Sequence, residues 1–223
     1  MHQRKSKKII IYFFLLILVS SIHHLGLNNL KFGPVDKINI YGLGENDNQA
    51  LLNEVSKINL KNIFFIDSKK LSEVFEKNSL VQNFNIKKKY PSSLEVQIEK
   101  TNFVGKIKND NKIMIIGSNG KFSKNEIYNG FLPFIFGKPD IKEILKFKKI
   151  IDISKFEFKK IKNLYFFPSY RWDIELKNNI LIKLPEKQIE QALDASYEIV
   201  KSKVIDNLKI IDARIQNQII LND

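Results

Sequence analysis

Histidine and cysteine, the side chains that most often carry nucleophilic and metal chemistry, are nearly absent from this sequence. Three histidines, His2, His23 and His24, lie near the N-terminus of the 223-residue chain, and there is no cysteine. A Ser-His-Asp triad or a histidine-ligated zinc site is therefore impossible from Leu25 onward. The lack of cysteine also excludes disulfides, thiolate metal sites and a cysteine nucleophile.

Two other kinds of chemistry remain open on residue types alone. A pair of carboxylates can do acid–base work on a glycan, and a serine–lysine pair can act as nucleophile and base. These residue types are abundant, with 24 Asp and Glu and 37 Lys and Arg, and no motif sets any of them apart. The sequence therefore predicts no catalytic, cofactor-binding or metal site, and a protein that is not an enzyme.

The chain is basic, with a formal net charge of +13 at pH 7. Such a charge can indicate binding to nucleic acid or to an anionic membrane surface. The alternative is that lysines cover solvated faces, and here they are dispersed from end to end without an arginine-rich or glycine-rich stretch. We therefore expect no nucleic-acid partner, and no feature indicates a small-molecule substrate.

The N-terminus combines a basic segment with an apolar one. Residues 1–8 carry four basic side chains and no acid, and residues 9–22 are almost wholly apolar. Extension of the apolar run to Leu27 gives a helix of about 28 Å, close to the ~30 Å of a bilayer core. Two interpretations compete: an uncleaved span with the basic end in the cytoplasm, or a cleaved signal peptide. We expect a cytoplasmic tail over 1–8, a transmembrane helix over 9–27 and a linker over 28–34.

Residues 35–100 alternate between the patterns of strands and helices. Period-two alternation and helical spacing follow one another in five segments. They are a strand at Lys37–Tyr41, helices over 48–58 and 68–75, and the strands Val81–Lys89 and Leu94–Lys100 around a Tyr90-Pro91 turn. The order β-α-α-β-β predicts a small α+β domain with two helices on one face of a sheet.

Residues 101–223 are richer in strands, and together with the first module they predict an α+β protein. Alternation between turn residues predicts strands at Thr101–Lys108, Lys112–Gly117, Ile161–Phe167, Arg171–Leu176, Ile180–Leu184, Leu208–Arg214 and Gln218–Leu221. Helical spacing predicts flanking helices over Lys142–Ile151 and Ile189–Lys201, and Leu132–Gly137 is expected to be a loop. In Arg171–Leu176 the alternation places Trp172 inward and Arg171, Asp173 and Glu175 outward.

Six motifs, in the same order along the chain, resemble the FtsQ/DivIB family of bacterial cell-division proteins. They are Ile38–Gly42, Asn62–Asp67, the Val81–Glu99 hairpin, Leu132-Pro133 with Gly137, Arg171–Leu184 and Ile211–Arg214. By this resemblance residues 35–100 form a POTRA domain and residues 101–223 form the FtsQ-type β domain.

The resemblance implies a scaffold of the division machinery. FtsQ-type proteins lie in the inner membrane at the septum, with a cytoplasmic N-terminus and a periplasmic C-terminal domain. They bind FtsB and FtsL, link early and late division proteins and help to regulate septal peptidoglycan synthesis. The POTRA domain is expected either to contact FtsK or to act as a spacer.

The resemblance also implies a partner-binding edge, where a segment of FtsB adds a strand to the last β strands. The matching residues are Arg214, Ile215, Gln216, Asn217, Gln218, Ile219, Ile220 and Leu221. In a regular strand Ile215, Ile219 and Leu221 share one face, and Gln216, Gln218 and Ile220 share the other. The alternative is an ordinary terminal strand that is apolar because it closes the core.

Two arginines are further candidates for partner contacts. Arg171 and Arg214 are each expected to touch a partner or to form a salt bridge. Asp212 lies two residues before Arg214 on the same strand face, which favours a structural ion pair for Arg214.

Another POTRA-bearing, membrane-anchored transport or assembly factor is the alternative function. It is disfavoured because the second domain is too short for the many strands of a transmembrane barrel.

Overall fold

The structure is a computed structural model that describes residues 3–21, 34–109, 112–202, 207–216 and 218–223. The chain divides into two compact units. The first comprises Met1–Lys77 and Phe84–Ile98, and the second comprises Asn78–Asn83 and Glu99–Asp223.

The N-terminal basic and apolar residues form helix α1, Gln3–Ser21. Its side chains from Lys8 to Ser20 are exposed. Residues 9–21 of the predicted span over 9–27 lie in this helix, and residues 22–27 fall outside the described residues. Most of the predicted linker over 28–34 also falls outside them. Among the residues that are described, no helix is both long and apolar enough to span a membrane.

The remainder of the first unit has the β-α-α-β-β order that the sequence predicts. Its elements are β1 (Lys37–Tyr41), α2 (Glu45–Ser56), α3 (Ser68–Lys77), β2 (Val81–Lys89) and β3 (Ser93–Lys100). The described strands form a sheet in the order β1-β3-β2, with β1 parallel to β3. Apolar residues of both helices and of β3 are fully buried, among them Leu51, Phe75 and Leu94.

The second unit is built on a mixed sheet of nine described strands. They are β4 (Phe103–Asn109), β5 (Lys112–Gly117), β6 (Phe122–Lys124), β7 (Phe134–Phe136), β8 (Ile161–Phe166), β9 (Trp172–Leu176), β10 (Leu181–Lys183), β11 (Ile210–Asp212) and β12 (Ile220–Asn222). Their spatial order is β12-β11-β10-β9-β8-β7-β4-β5-β6. The α+β character predicted from the sequence is thus confirmed.

Two helices make the crossovers that parallel neighbours require. Helix α4 (Ile141–Ile153) joins the parallel strands β7 and β8, and α5 (Ile189–Ser202) joins the parallel strands β10 and β11. Phe147 of α4 stacks on Trp172 of β9, with ring centroids 4.5 Å apart. The inward position predicted for Trp172 is confirmed, since it is 2% exposed.

Several local predictions differ from the structure, among them those for β7 and for Asp173. The expected loop at Leu132–Gly137 contains β7, which lies inside the sheet between β4 and β8. Its three residues are too few to show a period, and Pro133 and Gly137 mark turns on either side. Asp173, placed on the outward face of β9, is only 3% exposed. Both faces of this central strand are covered, so alternation there does not separate core from solvent.

Candidate partner-binding edge

Strand β12 is one edge of the nine-stranded sheet. It pairs antiparallel with β11, with Ile211 opposite Leu221 and Asp212 opposite Ile220. No other strand of the described residues pairs with its outer side. Edge strands present unpaired N–H and C=O groups and can accept a strand from another chain.

The predicted strand Gln218–Leu221 begins later in the structure, and most of the implied partner-binding segment Arg214–Leu221 precedes it. Only residues from Ile220 onward are in β12, and Gln218 donates its backbone N–H to Ile215 O at 3.2 Å across a turn. The segment is therefore not a regular strand from Ile215 onward, and Ile215 does not share a strand face with Ile219 and Leu221. Asn217 lies outside the described residues.

The apolar side chains of this segment divide between core and solvent. Ile219 and Leu221 pack against the core of the second unit, as an ordinary terminal strand would require. Ile220 is 40% exposed and Ile215 is 54% exposed. The segment thus closes the core through two residues and leaves Ile220 available beside the open edge.

Arg214 is held by the carboxylate of Asp212, as the spacing suggests. Its Nε lies 2.8 Å from Oδ1 and its Nη2 lies 2.6 Å from Oδ2 of Asp212. Hydrogen bonding to Arg214 lowers the pKa of the Asp212 carboxyl, and burial opposes that shift. The ion pair fixes the guanidinium near the start of the turn and leaves Arg214 exposed.

Arg171 makes a similar local pair. Its Nε donates to Asp173 Oδ1 at 3.2 Å, and its guanidinium lies 4.3 Å from the centroid of the Phe167 ring. Burial raises the pKa of Asp173, and the charge of Arg171 opposes that shift. Arg171 therefore compensates a buried carboxylate, which is a structural role.

Strand register aligns these charges in a row that ends at the edge. Asp173 of β9 is opposite Lys183 of β10, Lys183 is opposite Asp212 of β11, and Asp212 is opposite Ile220. Arg171 and Arg214 pair with the two aspartates of this row. Sequence alone cannot find the row, because it depends on pairing between residues far apart in the chain.

A groove of about 690 Å³ lies beside the edge, between the start of α5 and the turn before β12. Its walls include Gln188, Ala192, Ala195, Arg214, Ile215 and Ile219. The small side chains of Ala192 and Ala195 leave room on this side of α5. The α5 residues were not predicted to belong to the site, because the groove forms between segments that are far apart in the sequence.

Two family models match the chain in consecutive segments. The model for the FtsQ-type POTRA domain matches residues 33–100, and the model for the C-terminal part of cell division protein FtsQ/DivIB matches residues 105–214. The second match ends before β12.

Two similar proteins are both named cell division protein FtsQ. Cell division protein FtsQ of Rickettsia prowazekii (strain Madrid E) is 23% identical over 189 residues, which span 82% of this chain and 70% of that protein. Cell division protein FtsQ of Rickettsia felis (strain ATCC VR-1525 / URRWXCal2) is 24% identical over 161 residues, or 70% of this chain and 60% of that protein.

A solved structure also aligns, that of the major extracytoplasmic domain of the trans isomer of the cell division protein DivIB from Geobacillus stearothermophilus. The alignment has a TM-score of 0.32 and 11% identity, and it covers 47% of this chain and 98% of that one. The family models and the named relatives agree over most of the sequence, and on their strength the chain belongs to the FtsQ/DivIB family of cell-division proteins.

Proposed function

We propose that this protein is a non-catalytic scaffold of the division machinery that binds FtsB- and FtsL-type proteins outside the cytoplasm. In this role it links early and late division proteins and regulates septal peptidoglycan synthesis. The observation that carries the proposal is the open side of β12, with the exposed Ile220 on that strand.

Strand addition to β12 is the proposed mode of binding. Main-chain hydrogen bonds from the partner strand supply affinity, and its alternating side chains supply specificity. The charge row across β9 to β12 ends at the apolar Ile220, so an apolar partner side chain placed next to it would favour one register. Arg214 keeps its exposed guanidinium at the start of this segment and can meet a partner carboxylate there.

The groove beside the edge adds a second contact. It opens next to the turn that leads into β12, so a partner strand on that edge would carry neighbouring residues past it. Its volume has room for large side chains of a partner, and large side chains that fill such pockets are typical of binding hot spots. Ile215, which lines the groove and is 54% exposed, is the residue we expect such a side chain to touch.

The proposed location is the inner membrane at the septum, with the N-terminus in the cytoplasm and residues from 28 onward in the periplasm. The basic residues of the N-terminus and the apolar sequence that follows them support a single span of this orientation. The POTRA domain would then lie close to the membrane, where FtsK is the proposed contact.

Binding of the full chain, reconstituted in lipid nanodiscs, to the periplasmic segments of the cognate FtsB–FtsL pair tests the proposal. Ile220→Glu is expected to weaken binding at least about tenfold, because a carboxylate is then desolvated beside the added strand. The matched control is Ile127→Glu, since Ile127 is 42% exposed against 40% for Ile220 and follows β6 at the opposite edge of the sheet.

The outcomes separate the function from the site. Binding that is lost in Ile220→Glu and kept in Ile127→Glu supports the proposed function and the proposed site. The circular dichroism spectra of both variants must match that of the parent chain. Equal binding by the parent and both variants would show that the binding site is not at β12. A folded parent that does not bind the pair would overturn the proposed partners.

A further inference from the structure

Three aromatic side chains of the first unit face solvent together. Phe65 is 86% exposed, Tyr90 57% and Phe64 47%. The rings of Phe64 and Tyr90 stack with 5.1 Å between their centroids. We call these three residues the aromatic patch. A cluster of exposed large apolar side chains is typical of a contact with another molecule or with a membrane.

The exposure is fixed by the local structure. Asn62 accepts the backbone N–H of Phe64 on its side-chain Oδ1 at 2.8 Å and that of Phe65 on its carbonyl oxygen at 3.2 Å. Ile63, which lies between Asn62 and Phe64 in the sequence, is fully buried. The buried isoleucine and the tight turn oblige the two phenylalanines to project from the surface.

The patch lies at the end of the unit where the chain arrives from α1. Val35 donates its N–H to Leu60 O at 3.0 Å, and Asp36 donates to Ser92 O at 2.9 Å. Leu60 precedes Asn62 by two residues and Ser92 follows Tyr90 by two residues. Val35 and Asp36, which lie just before β1, are thus hydrogen-bonded to the two segments that carry the patch.

Chain length keeps this end near the bilayer if residues 9–27 are the span. Seven peptide steps separate residue 27 from Pro34, and a fully extended chain of that length reaches at most about 25 Å. The far end of the same sheet is marked by Tyr41, which pairs with Gln97 while Lys37 pairs with Ser93.

Basic side chains surround the patch. Lys88 donates its Nζ to Phe64 O at 3.2 Å, Lys61 is exposed three residues before Phe64, and Lys37 is exposed at the start of β1. Asp36 and Asp67 are the acidic residues nearest to the patch in sequence, and Asp67 pairs with Lys70 at 3.5 Å. This excess of lysine suits an anionic surface.

We infer that the aromatic patch docks the first unit on the surface of the bilayer that holds the N-terminal span. Phe65 enters the headgroup region, where aromatic side chains are favoured, and Lys37, Lys61 and Lys88 face anionic headgroups. This inference rests on the membrane anchor proposed above.

Lipid-borne quenching of a dye on single cysteines tests the docking, and the absence of native cysteine makes the labelling specific. The full chain is reconstituted in vesicles of phosphatidylethanolamine and phosphatidylglycerol that carry a nitroxide lipid. The labelled chains are Phe65→Cys and, as the matched control, Tyr41→Cys, an aromatic that is 47% exposed at the far end of β1. We expect about twofold or greater quenching at residue 65, as interfacial burial requires, and none at residue 41.

A carbonate wash of the same vesicles shows whether the chain is anchored in the membrane, independently of whether the aromatic patch docks on its surface. Chains that stay in the membrane without quenching at residue 65, or with equal quenching at both positions, would overturn the docking and leave the anchor in place. Release of the chains by carbonate would overturn both. A response at residue 65 that appears only after the FtsB–FtsL segments are added would overturn the lipid contact and assign the patch to a protein partner.

Discussion

Glu175 of β9 accepts hydrogen bonds from three side chains of β8. It accepts from Lys162 Nζ at 2.8 Å, from Asn163 Nδ2 at 2.8 Å and from Tyr165 Oη at 2.6 Å. These bonds, that of Lys162 first, lower the pKa of Glu175 from 4.5 to about 2. Glu175, which alternation places on the outward face of β9, is thus the centre of a hydrogen-bond network between β8 and β9.

Glu175→Gln should destabilise the protein by about 1–3 kcal/mol at pH 7, because the amide loses the ionic part of these contacts. A folded-state pKa below the unfolded value gives stability that is present above pH 4.5 and is lost as the pH falls toward 2. The difference between parent and variant, measured by urea unfolding, should therefore shrink over that range. Glu126→Gln, at an exposed position, is the control and should change stability by less than about 0.5 kcal/mol. A difference that stays constant down to pH 2 would contradict this interpretation.

At the scale of single elements, Gly42 ends β1 in a conformation that only glycine adopts readily. Its φ is +116°, and a Cβ there would lie 1.8 Å from the carbonyl oxygen of Ile98. Gly44, two residues later, has φ of −68° and room for a methyl group, with Asp47 Oδ2 at 3.6 Å.

Gly42→Ala should therefore cost about 2–4 kcal/mol, from backbone strain and the displacement of β3. Gly44→Ala, the matched control, should change stability by no more than about 1 kcal/mol. Thermal unfolding of both variants checks the difference. Equal melting temperatures would mean that the turn after β1 relaxes to accept a side chain.

Some helices and strands can be predicted from the sequence and others cannot, for physical reasons. Long periodic segments such as β2, β3, α4 and α5 are predictable, because one covered face sets their period. Strand β7 was missed because its position depends on parallel pairing with β4 and β8, which no local pattern encodes.

The candidate site was predictable only in part. The sequence predicted the Asp212–Arg214 pair and the C-terminal edge, but not the turn that removes Ile215 from the strand. The charge row and the groove beside α5 arise from register and packing between distant residues, so they required the structure. The binding role of the edge remains a prediction.

At the scale of the whole molecule, membership of the FtsQ/DivIB family narrows the functions that the sequence left open. The match of residues 105–214 to the C-terminal part of cell division protein FtsQ/DivIB disfavours another kind of POTRA-bearing transport factor. The proposed scaffold then needs two contacts, a membrane attachment through the N-terminal residues and a partner at β12.

Amide hydrogen exchange of the full chain, with and without the FtsB–FtsL segments, tests strand addition most directly. New main-chain hydrogen bonds slow exchange, so protection should rise in β12, at Ile220–Asn222, when the partner binds. The edge strand β6, Phe122–Lys124, is the internal control and should not change. Bound partner with unchanged exchange in β12, or with equal slowing in β6, would contradict strand addition at this edge.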